Sequence, residues 1–546
     1  MTGPPSSGRA QGAADRDSLG TDRHALRSFR TLDIEHAAPH PAERSLMSQE
    51  PARRAVVLVD NDVRRDSRVQ KAAISMAERG WDVHLVGVRS KAVPRSESRW
   101  RLGGAQVRLV DVYRPRRRRD NVVEAVRQRL GYRSRYAAKA WQAVAEGRGG
   151  DLYAQRLADA ESGPLRDARW LARRVRHRLS TAWVRFRVGR PAPRKPPGDR
   201  RPPEVPAPLA ALRGGWRKVD PTLFSFEAAL GPVLDELDPD LIHANDFRTL
   251  GVAARAKLRA EARGRRIALV WDAHEYLPGI RPWSARPGWH EAQIEHEREY
   301  AAYADEVVTV SEELAALLQA DHALTSPPHV VLNCPMTSET HFAADHPSVR
   351  EAAGLPADTP ILVYSGAAAP QRGLDVMVEA LPRLEQVALV LVVGRPESDY
   401  VQSLVARATE LGVGDRLHLL PYVAPAEVVG YLSSADVGVI PIQHYPNHEI
   451  ALITKFFEYS HARLPILVSD VRAMSRQVRE TGQGEVFAAD DVDDFVRAAR
   501  KILAAPEQYR AVLDGLHLET RWTWEEQAET LAAVYARAVE GSPSRL

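Results

Sequence analysis

The sequence predicts an α/β protein with two Rossmann-like, doubly wound halves that face a cleft. Three observations lead to this prediction. Apolar runs of strand length alternate with helical patterns from about residue 54, and the alternation resumes and continues past residue 360. A strongly basic segment, roughly 114–218, interrupts the first array. The chain has 546 residues, which is too long for one ordinary domain and suits two or three.

The first array follows a polar tail. Residues 1–52 are rich in Gly, Ser, Pro, Ala and charge without sustained periodicity, so we expect disorder there. AVVLVDND then predicts a strand, SRVQKAAISMAERG a helix that stops at Gly80, and WDVHLVGV a second strand, parallel to the first. Ser311 is a candidate helix cap. The later predicted elements of this half are DPDLIHAND, FRTLGVAARAKLRAEARG, RIALVWDAHEY, DEVVTVSEELAALLQA and HVVLNCP.

The second array begins near Pro360. Its predicted strands are TPILVYSG, VALVLVVG, RLHLLPYV, ADVGVIPI and LPILVSD. Its predicted helices are GLDVMVEALPRL, SLVARATELG, AEVVGYLSSA, ALITKFFEYSHARL and, last, TWEEQAETLAAVYARAVEG. Ligands of open parallel sheets bind beyond the carboxyl ends of the strands, so the residues that end each strand are the first candidates for a site.

Composition bounds the class of protein. Cys334 is the single cysteine and cannot form an internal disulfide, and neither a signal peptide nor a membrane-spanning run is visible, so we expect an intracellular protein. The net charge is +4, yet residues 114–218 contain 28 Lys and Arg against 9 Asp and Glu. The remainder is therefore acidic. This asymmetry predicts an anionic partner for the basic segment.

The second array contains candidates for binding a diphosphate and a ribose. Lys455 and Glu458 lie three residues apart near a predicted helix start, where free N–H groups suit a pyrophosphate. Glu458 could accept hydrogen bonds from vicinal hydroxyls. Gly366 ends a strand, and Arg372 opens the next helix within reach of a diphosphate. A solvated ion pair and a plain strand-to-helix turn are the structural alternatives, and the spacing of a P-loop is absent.

In the first array, His274 ends a strand on the predicted cleft side. There it could hydrogen-bond a sugar or acceptor hydroxyl, or move a proton. Strand alternation places Asp272 on the same face, so it could orient the imidazole. The alternative for His274 is a purely structural role. For the candidates named next, the alternative is an ordinary solvated loop position. The further acceptor-side candidates are Asp66, Arg68, Asn245, Asp246 and Glu275.

Taken in order, these segments resemble a known family. YSG…QRGLDVMVEAL, LVLVVG, RLHLLPYV, YLSSADVGVIP and TKFFEYSHARLPILVSD are similar to the donor domain of family 4-like glycosyltransferases, which have the GT-B fold. DSRVQKAAISMAERGWDVHLVG, DLIHAND, VWDAHEY and ADEVVTVSEEL resemble the acceptor domain. The resemblance implies an acceptor domain (53–338), a donor domain (339–515) and a helix (516–540) that returns to the first domain. The tail (1–52) and the basic insert within the first domain (114–218) fall outside the resemblance.

The resemblance implies that Glu458 holds the ribose, that Arg372 holds the diphosphate with help from Lys455, and that His274 serves catalysis with these two cations. It also implies retention at the anomeric carbon, no metal, and no cofactor besides the nucleoside diphosphate sugar as donor. The sequence departs from the pattern at three positions. Ile450 stands where a first glutamate is usual, and the adjacent Glu449 could substitute for it with a different direction. Arg372 replaces a lysine, and Ala367 stands where an arginine is usual.

The predicted function is transfer of a sugar to a hydroxyl acceptor, in synthesis of envelope polysaccharide or glycolipid. A sugar-nucleotide epimerase and a catalytically silent nucleotide-sugar-binding protein are the alternatives. Within the insert, DARWLARRVRHRLSTAWVRFRVG predicts an amphipathic helix. Residues 114–210 are therefore predicted to bind an anionic membrane from the cytoplasmic side, near a lipid-linked acceptor. A solvated helix is the alternative, and no fold or spacing typical of nucleic-acid binding accompanies the charge.

Overall fold

The computed structural model describes residues 52–115, 132, 134–159, 164–188, 215–284, 286–337, 347–518 and 520–541. The predicted disorder of the polar tail (1–52) falls almost wholly outside these residues. The predicted basic insert (114–218) lies outside them over residues 116–131, 133, 160–163 and 189–214.

The first sheet has eight strands in the order β3-β4-β2-β1-β5-β6-β7-β8. All neighbouring pairs are parallel except β3 and β4. The predicted parallel β-α-β unit at the start of this half is therefore confirmed. The strands are β1 (Arg54–Leu58), β2 (Asp82–Val88), β3 (Arg99–Leu102), β4 (Ala105–Val110), β5 (Leu241–Asn245), β6 (Ala268–Ala273), β7 (Glu306–Thr309) and β8 (His329–Val330).

The helices that accompany this sheet begin and end where the sequence supplies suitable residues. Ser311 caps its helix by accepting a hydrogen bond from the backbone N–H of Leu314 at 3.2 Å, as predicted. Gly80 ends the first helix with φ of 89°. The helices are α1 (Ser67–Glu78), α2 (Arg135–Ala158), α3 (Pro164–Val188), α4 (Trp216–Val219), α5 (Leu223–Leu237), α6 (Asp246–Glu261), α7 (Trp289–Ala301) and α8 (Glu312–His322).

Helices α2 and α3 lie in the segment predicted to be a basic insert. α2 packs against α5, and Gly147 permits the close approach because a Cβ there would lie 1.8 Å from the carbonyl oxygen of Phe224. α3 packs on α2, with a contact of 2.8 Å between Nε2 of His177 and the carbonyl oxygen of Ala145. The order of packing is therefore α5, α2, α3, and α3 forms the outer layer.

The second sheet has six parallel strands in the order β11-β10-β9-β12-β13-β14. The strands are β9 (Ile361–Ser365), β10 (Ala388–Val392), β11 (Leu417–Leu420), β12 (Val437–Ile440), β13 (Ile466–Ser469) and β14 (Gly484–Phe487). The helices are α9 (Val349–Ala352), α10 (Leu374–Ala380), α11 (Asp399–Glu410), α12 (Val428–Leu432), α13 (Pro446–Ile450), α14 (Thr454–His461), α15 (Arg472–Thr481), α16 (Val492–Ala504), α17 (Pro506–Asp514) and α18 (Trp524–Glu540).

The final helix, α18, packs on the first sheet rather than on the second. The indole N–H of Trp524 donates to Oγ of Ser75 at 2.9 Å. The ring of Tyr535 meets Trp81 edge-on, and its hydroxyl lies 2.9 Å from Nδ1 of His243 in β5. The chain thus crosses to the second sheet and returns.

Two local predictions require correction. β3 and β4 were not predicted, although β4 alternates buried and less buried residues as a half-buried strand does. The predicted helix ALITKFFEYSHARL is helical only from Thr454, because Ala451 and Ile453 have extended backbones. Ile450 just before them is buried in the core of the first half, which draws the chain away from a continuous helix.

Candidate functional site

The carboxyl end of β9 and the start of α14 meet at one edge of the second sheet. The hydroxyl of Tyr459 in α14 accepts a hydrogen bond from the backbone N–H of Ser365 at 2.9 Å, which fixes the helix against the strand. Gly366 follows with φ of 138°, and a Cβ there would lie 2.4 Å from Cε and Nζ of Lys455. Only glycine leaves room for the lysine amine against this strand end.

A second cation lies beside Lys455. Arg372 ends a 3₁₀ turn, Pro370–Arg372, and the next residue, Gly373, packs so closely on β12 that a Cβ would lie 2.0 Å from the carbonyl oxygen of Pro441. Burial, followed by the charge of Arg372, lowers the pKa of Lys455 to about 8. The negative charge of Glu458 acts in the opposite direction but does not restore the ordinary pKa of Lys455. The edge therefore suits a ligand with two or more negative charges.

Glu458 lies one helical turn after Lys455, on the same face of α14, and is half-buried. Its negative charge acts on Lys455 against the larger effect of burial. The three charged candidates and Gly366 are thus brought together at a single strand end.

The position of the usual first glutamate is not available to a ligand. Ile450 is 3% exposed and packs in the core of the first half. Glu449, the possible substitute, has both carboxylate oxygens engaged. One lies 2.5 Å from Nδ1 of His444, and the other accepts a hydrogen bond from the backbone N–H of Arg472 at 2.9 Å. The substitution considered for Glu449 is therefore not favoured by its contacts.

Tyr422 also lies at this edge, just after β11, and sequence reasoning missed it. Its ring packs over Gly394, where a Cβ would lie 2.5 Å from it, and 42% of the residue is exposed. Burial raises the pKa of its phenol, although the nearby charges of Arg65 and Arg372 act in the opposite direction. The predicted strand RLHLLPYV included Tyr422, whereas β11 ends at Leu420.

In the first half, His274 follows β6 and lies between two carboxyl groups. Its Nε2 is 3.3 Å from Oδ1 of Asp272, and its Nδ1 is 3.7 Å from Oδ1 of Asp246. Burial opposes the charged form, but these two carboxylates outweigh it and raise the pKa of His274 to about 9. At neutral pH the ring is therefore a cation and a hydrogen-bond donor.

Asp272 and Arg68 form a buried ion pair. Nε and Nη2 of Arg68 each donate to a different carboxylate oxygen of Asp272 at 2.9 Å, and both side chains are 5% exposed or less. Burial favours protonation of Asp272, but Arg68 holds its pKa well below the ordinary range. His243, which sequence reasoning missed, lies 3.3 Å from the same carboxylate. Arg68 and Asp272 are therefore buried rather than exposed to the cleft, and the orienting role predicted for Asp272 stays a prediction.

Asn245 is also buried rather than exposed to the cleft. Its side-chain N–H donates to the carbonyl oxygen of Leu58 at 3.0 Å and links β5 to β1. Asp246 follows with φ of 62°, and Val63 in the loop after β1 has φ of 70°. Such strained backbone at neighbouring strand ends is typical of functional sites.

The carboxyl groups near His274 form an acidic rim. Burial raises the pKa of Asp246 to about 7, His274 opposes this effect, and Asp60, Glu275 and Asp66 add to it. Asp66 caps α1 and accepts a hydrogen bond from Nδ2 of Asn61 at 2.7 Å, whereas Glu275 is exposed. Asp246 and Glu275 are therefore the acceptor-side candidates most open to a ligand.

Trp283 lies beside this rim and was missed. It is 54% exposed, in the loop after β6. The guanidinium of Arg248 lies 5.1 Å from its ring centroid and pairs with Asp60 at the end of β1. An exposed indole fixed by a cation offers a flat apolar surface at the carboxyl end of the sheet.

The two halves touch through α13. The hydroxyl of Ser311 donates to the carbonyl oxygen of Ile450 at 2.6 Å. Asn447 exchanges two hydrogen bonds with the backbone of Tyr276, at 2.8 and 3.0 Å. The segment that carries Glu449 is thus bound to the loop that follows His274.

Over the part of the chain that the structure describes, no group of three or more His, Cys, Asp or Glu residues is arranged to hold a metal ion. Within the same part, no helix has the length and apolar character needed to cross a membrane.

Two family matches fall on the two halves of the chain, one on the second sheet and the other on strands β5–β8 of the first. Residues 345–514 match the family described as glycosyl transferases group 1, and residues 167–335 match glycosyltransferase family 4. Together these ranges cover more than half of the chain. The second match begins inside the segment 114–218 that was expected to lie outside the resemblance, and it includes most of α3.

Curated relatives and solved structures agree with these matches. The chain is 25% identical over 327 residues to D-inositol 3-phosphate glycosyltransferase 1 of Catenulispora acidiphila, covering 56% of this chain and 74% of the relative. It is 28% identical over 244 residues to the corresponding enzyme of Xylanimonas cellulosilytica, covering 43% and 56%. For some relatives the match thus spans little more than half their length.

Sucrose-phosphate synthase of Thermosynechococcus elongatus aligns with a TM-score of 0.59 at 16% identity, covering 90% of this chain and all of that one. Anabaena HepE, solved in complex with UDP-glucose, aligns with a TM-score of 0.53 at 12% identity, covering 89% and 99%. At these identities the structures show a shared fold.

Proposed function

This chain belongs to the family 4-like glycosyltransferases with the GT-B fold, and we propose that it transfers a sugar from a nucleoside diphosphate sugar to a hydroxyl group. The observation that carries the proposal is the convergence of Arg372 and Lys455 beside Gly366 at the carboxyl edge of the second sheet. Glu458, on the same helical face, would accept hydrogen bonds from the ribose hydroxyls.

The two cations would act on the leaving group. As the glycosidic bond breaks, the departing diphosphate gains negative charge, so preplaced positive groups stabilise the transition state more than the ground state. In the free protein, desolvation and the neighbouring charge of Arg372 lower the pKa of Lys455. A diphosphate bound between the two cations would add negative charge and raise that pKa again.

On the acceptor side, His274 is the proposed catalytic group of the first half. As an imidazolium it would donate a hydrogen bond to a sugar or acceptor oxygen, while Asp246 or Glu275 would accept from hydroxyls. We propose retention through attack on the face that the diphosphate leaves. Asp272, the buried carboxylate nearest His274, is held by Arg68 and is poorly placed to act as a nucleophile.

The donor and acceptor are proposed from the names of similar proteins. HepE was solved with UDP-glucose, so a UDP-sugar is the first donor to test. The curated relatives are named for D-inositol 3-phosphate, which makes a phosphorylated cyclitol the first small acceptor to test. We propose that the reaction belongs to envelope polysaccharide or glycolipid synthesis at the cytoplasmic face of the membrane. We also propose that Arg372 and Lys455 neutralise the charge of the diphosphate without a metal.

Calorimetry of donor binding tests the assignment directly. At pH 8.5, the protein should take up as much as about one proton when it binds UDP or a UDP-sugar. This uptake makes the measured binding enthalpy depend on the ionisation enthalpy of the buffer. Lys455→Met should abolish this uptake, whereas Lys501→Met, which removes an exposed lysine of the same half, should keep it. Unchanged proton uptake in Lys455→Met would refute the role of Lys455.

The ribose contact is tested by Glu458→Ala. Losing hydrogen bonds to a carboxylate should weaken donor binding about 10- to 100-fold. Glu410→Ala removes an exposed glutamate that pairs with Arg407 and serves as the control. Equal affinity of the two variants would contradict the assignment.

Product analysis separates the proposal from its two alternatives. Incubation with UDP-, GDP- and ADP-sugars and a panel of acceptors should release nucleoside diphosphate and form a glycoside. An epimerase would change the sugar nucleotide without needing an acceptor, and a silent binding protein would bind without turnover. Either result would overturn the proposed transfer.

A further inference from the structure

Helix α3 carries most of the exposed apolar side chains of the described chain. Among the described residues, eight large apolar side chains are more than 40% exposed, and five of these eight lie on α3. These five, which we call the outer stripe, are Leu171, Val175, Leu179, Trp183 and Phe186, with exposures of 56, 49, 68, 51 and 53%. Their spacings of four and three residues place them on one face of the helix, over about 22 Å.

The opposite face holds α3 on the protein. The indole N–H of Trp170 donates to the carbonyl oxygen of Leu152 in α2 at 3.4 Å. Nε2 of His177 lies 2.8 Å from the carbonyl oxygen of Ala145, and a Cβ at Gly149 would lie 2.9 Å from the same imidazole. Asp167 pairs with Arg156 at 2.5 Å. The helix is therefore docked through its inner face, whereas Leu171, Val175, Leu179 and Trp183 are about half exposed or more on the other face.

Arginines border the outer stripe. Helix α3 contains eight arginines and one aspartate, a net charge of +7 with neutral histidine. The exposed members are Arg169, Arg173, Arg174, Arg176, Arg178 and Arg185. Trp183 and Phe186 stack at one end, with ring centroids 5.8 Å apart. An apolar stripe with interfacial aromatic residues and flanking cations is typical of helices that lie in the plane of a bilayer surface.

We propose that the outer stripe of α3 docks on an anionic lipid surface, with the helix parallel to the membrane. Charge decides between the possible occupants. A second copy of this chain would bring another helix of charge +7 against the first, which opposes association. A nucleic acid would satisfy the arginines but would leave the apolar side chains without a partner. A bilayer with anionic headgroups satisfies both.

The test is flotation of the full chain with vesicles. Binding is expected with vesicles of phosphatidylcholine and about one third phosphatidylglycerol, and not with pure phosphatidylcholine. It should weaken several-fold between about 0.1 and 0.5 M salt, because the arginine contribution is screened. Equal binding to neutral and anionic vesicles, or the same binding at both salt concentrations, would overturn the proposal.

Variants identify the surface. Leu179→Ser with Trp183→Ser and Phe186→Ser should reduce partitioning at least about tenfold, because three apolar contacts are lost. The fold should be unaffected, since all three are at least half exposed, and circular dichroism checks this. Tyr153→Ser, which removes an exposed aromatic side chain of α2, is the control and should bind like the native protein. Binding by the triple variant equal to that of the control would refute the proposal.

A second readout locates the contact. Brominated lipids should quench Trp183, so the Trp183→Phe variant should lose most of the quenching while it still floats with vesicles. Quenching that persists in this variant would place the contact elsewhere. If instead light scattering shows a dimer that the triple variant dissociates, and no vesicles are bound, the occupant is a second copy and the proposal is wrong.

Discussion

Replacing His274 by glutamine tests which protonation state of this residue works. With a pKa of about 9 against the ordinary 6.5, the ring is almost fully protonated at pH 7. This difference corresponds to about 3.5 kcal/mol, because each pKa unit is worth about 1.4 kcal/mol. The folded-state pKa is the higher one, so the stabilisation is fully present below pH 6.5 and is lost as the pH rises through 9.

Two assays test the raised pKa of His274. In the ring NMR spectrum, the resonance that disappears in His274→Gln should titrate near pH 9. In the rate assay, kcat/KM should fall as the pH rises through the same range, because the donating imidazolium is lost. The variant should lack this limb and be slower by roughly 10²- to 10⁴-fold.

The nearby carboxyl group supplies an internal check. Asp246→Asn removes one of the two anionic neighbours of His274 and should lower its pKa. A ring that titrates near 6.5 in the native protein would refute the electrostatic argument. A rate that rises as the pH passes the pKa of His274 would instead identify it as a general base.

Two further predictions concern glycine and arginine positions. Gly366→Ala should cost about 1–3 kcal/mol of stability, because φ of 138° disfavours other residues. It should also weaken UDP binding in calorimetry, because the added Cβ displaces Lys455. The control Gly412→Ala, with φ of 72° and no atom within 4 Å of its Cβ, should leave UDP binding intact. Arg68→Met should cost about 3–5 kcal/mol in urea unfolding, since it leaves Asp272 buried without its partner. Arg64→Met breaks an exposed pair with Glu97 and a contact of the guanidinium with the ring of Trp100, and should cost about 1 kcal/mol or less. Similar losses in the two arginine variants would contradict the argument.

Much of the fold could be predicted because its signals are local. The apolar runs of β1, β5, β6, β9 and β10 are buried on both faces and stand out in the sequence. The Ser311 cap is likewise local, since donor and acceptor lie three residues apart. The strand-end rule led to Gly366 and His274, which the structure places at carboxyl ends of strands.

The remaining features depend on contacts that are distant in sequence. Arg68 and Asp272 are 204 residues apart, so their pairing could not be predicted from either neighbourhood. The break before α14 depends on the burial of Ile450 in the other half. The exposure of Trp283 and Tyr422 is a property of the packed surface, which hydrophobic patterns do not reveal.

The return of α18 to the first sheet has a consequence for biosynthesis. His243 and the hydroxyl of Tyr535 are 292 residues apart. At about 5–20 residues per second, a ribosome needs roughly 15–60 s to make the chain between them. During that time the face of the first sheet that later receives α18 has no covering helix, so the nascent first half should be a substrate for chaperones. Premature termination anywhere before α18 should then yield an amino-terminal fragment that aggregates, even though both strands next to His243 are already present.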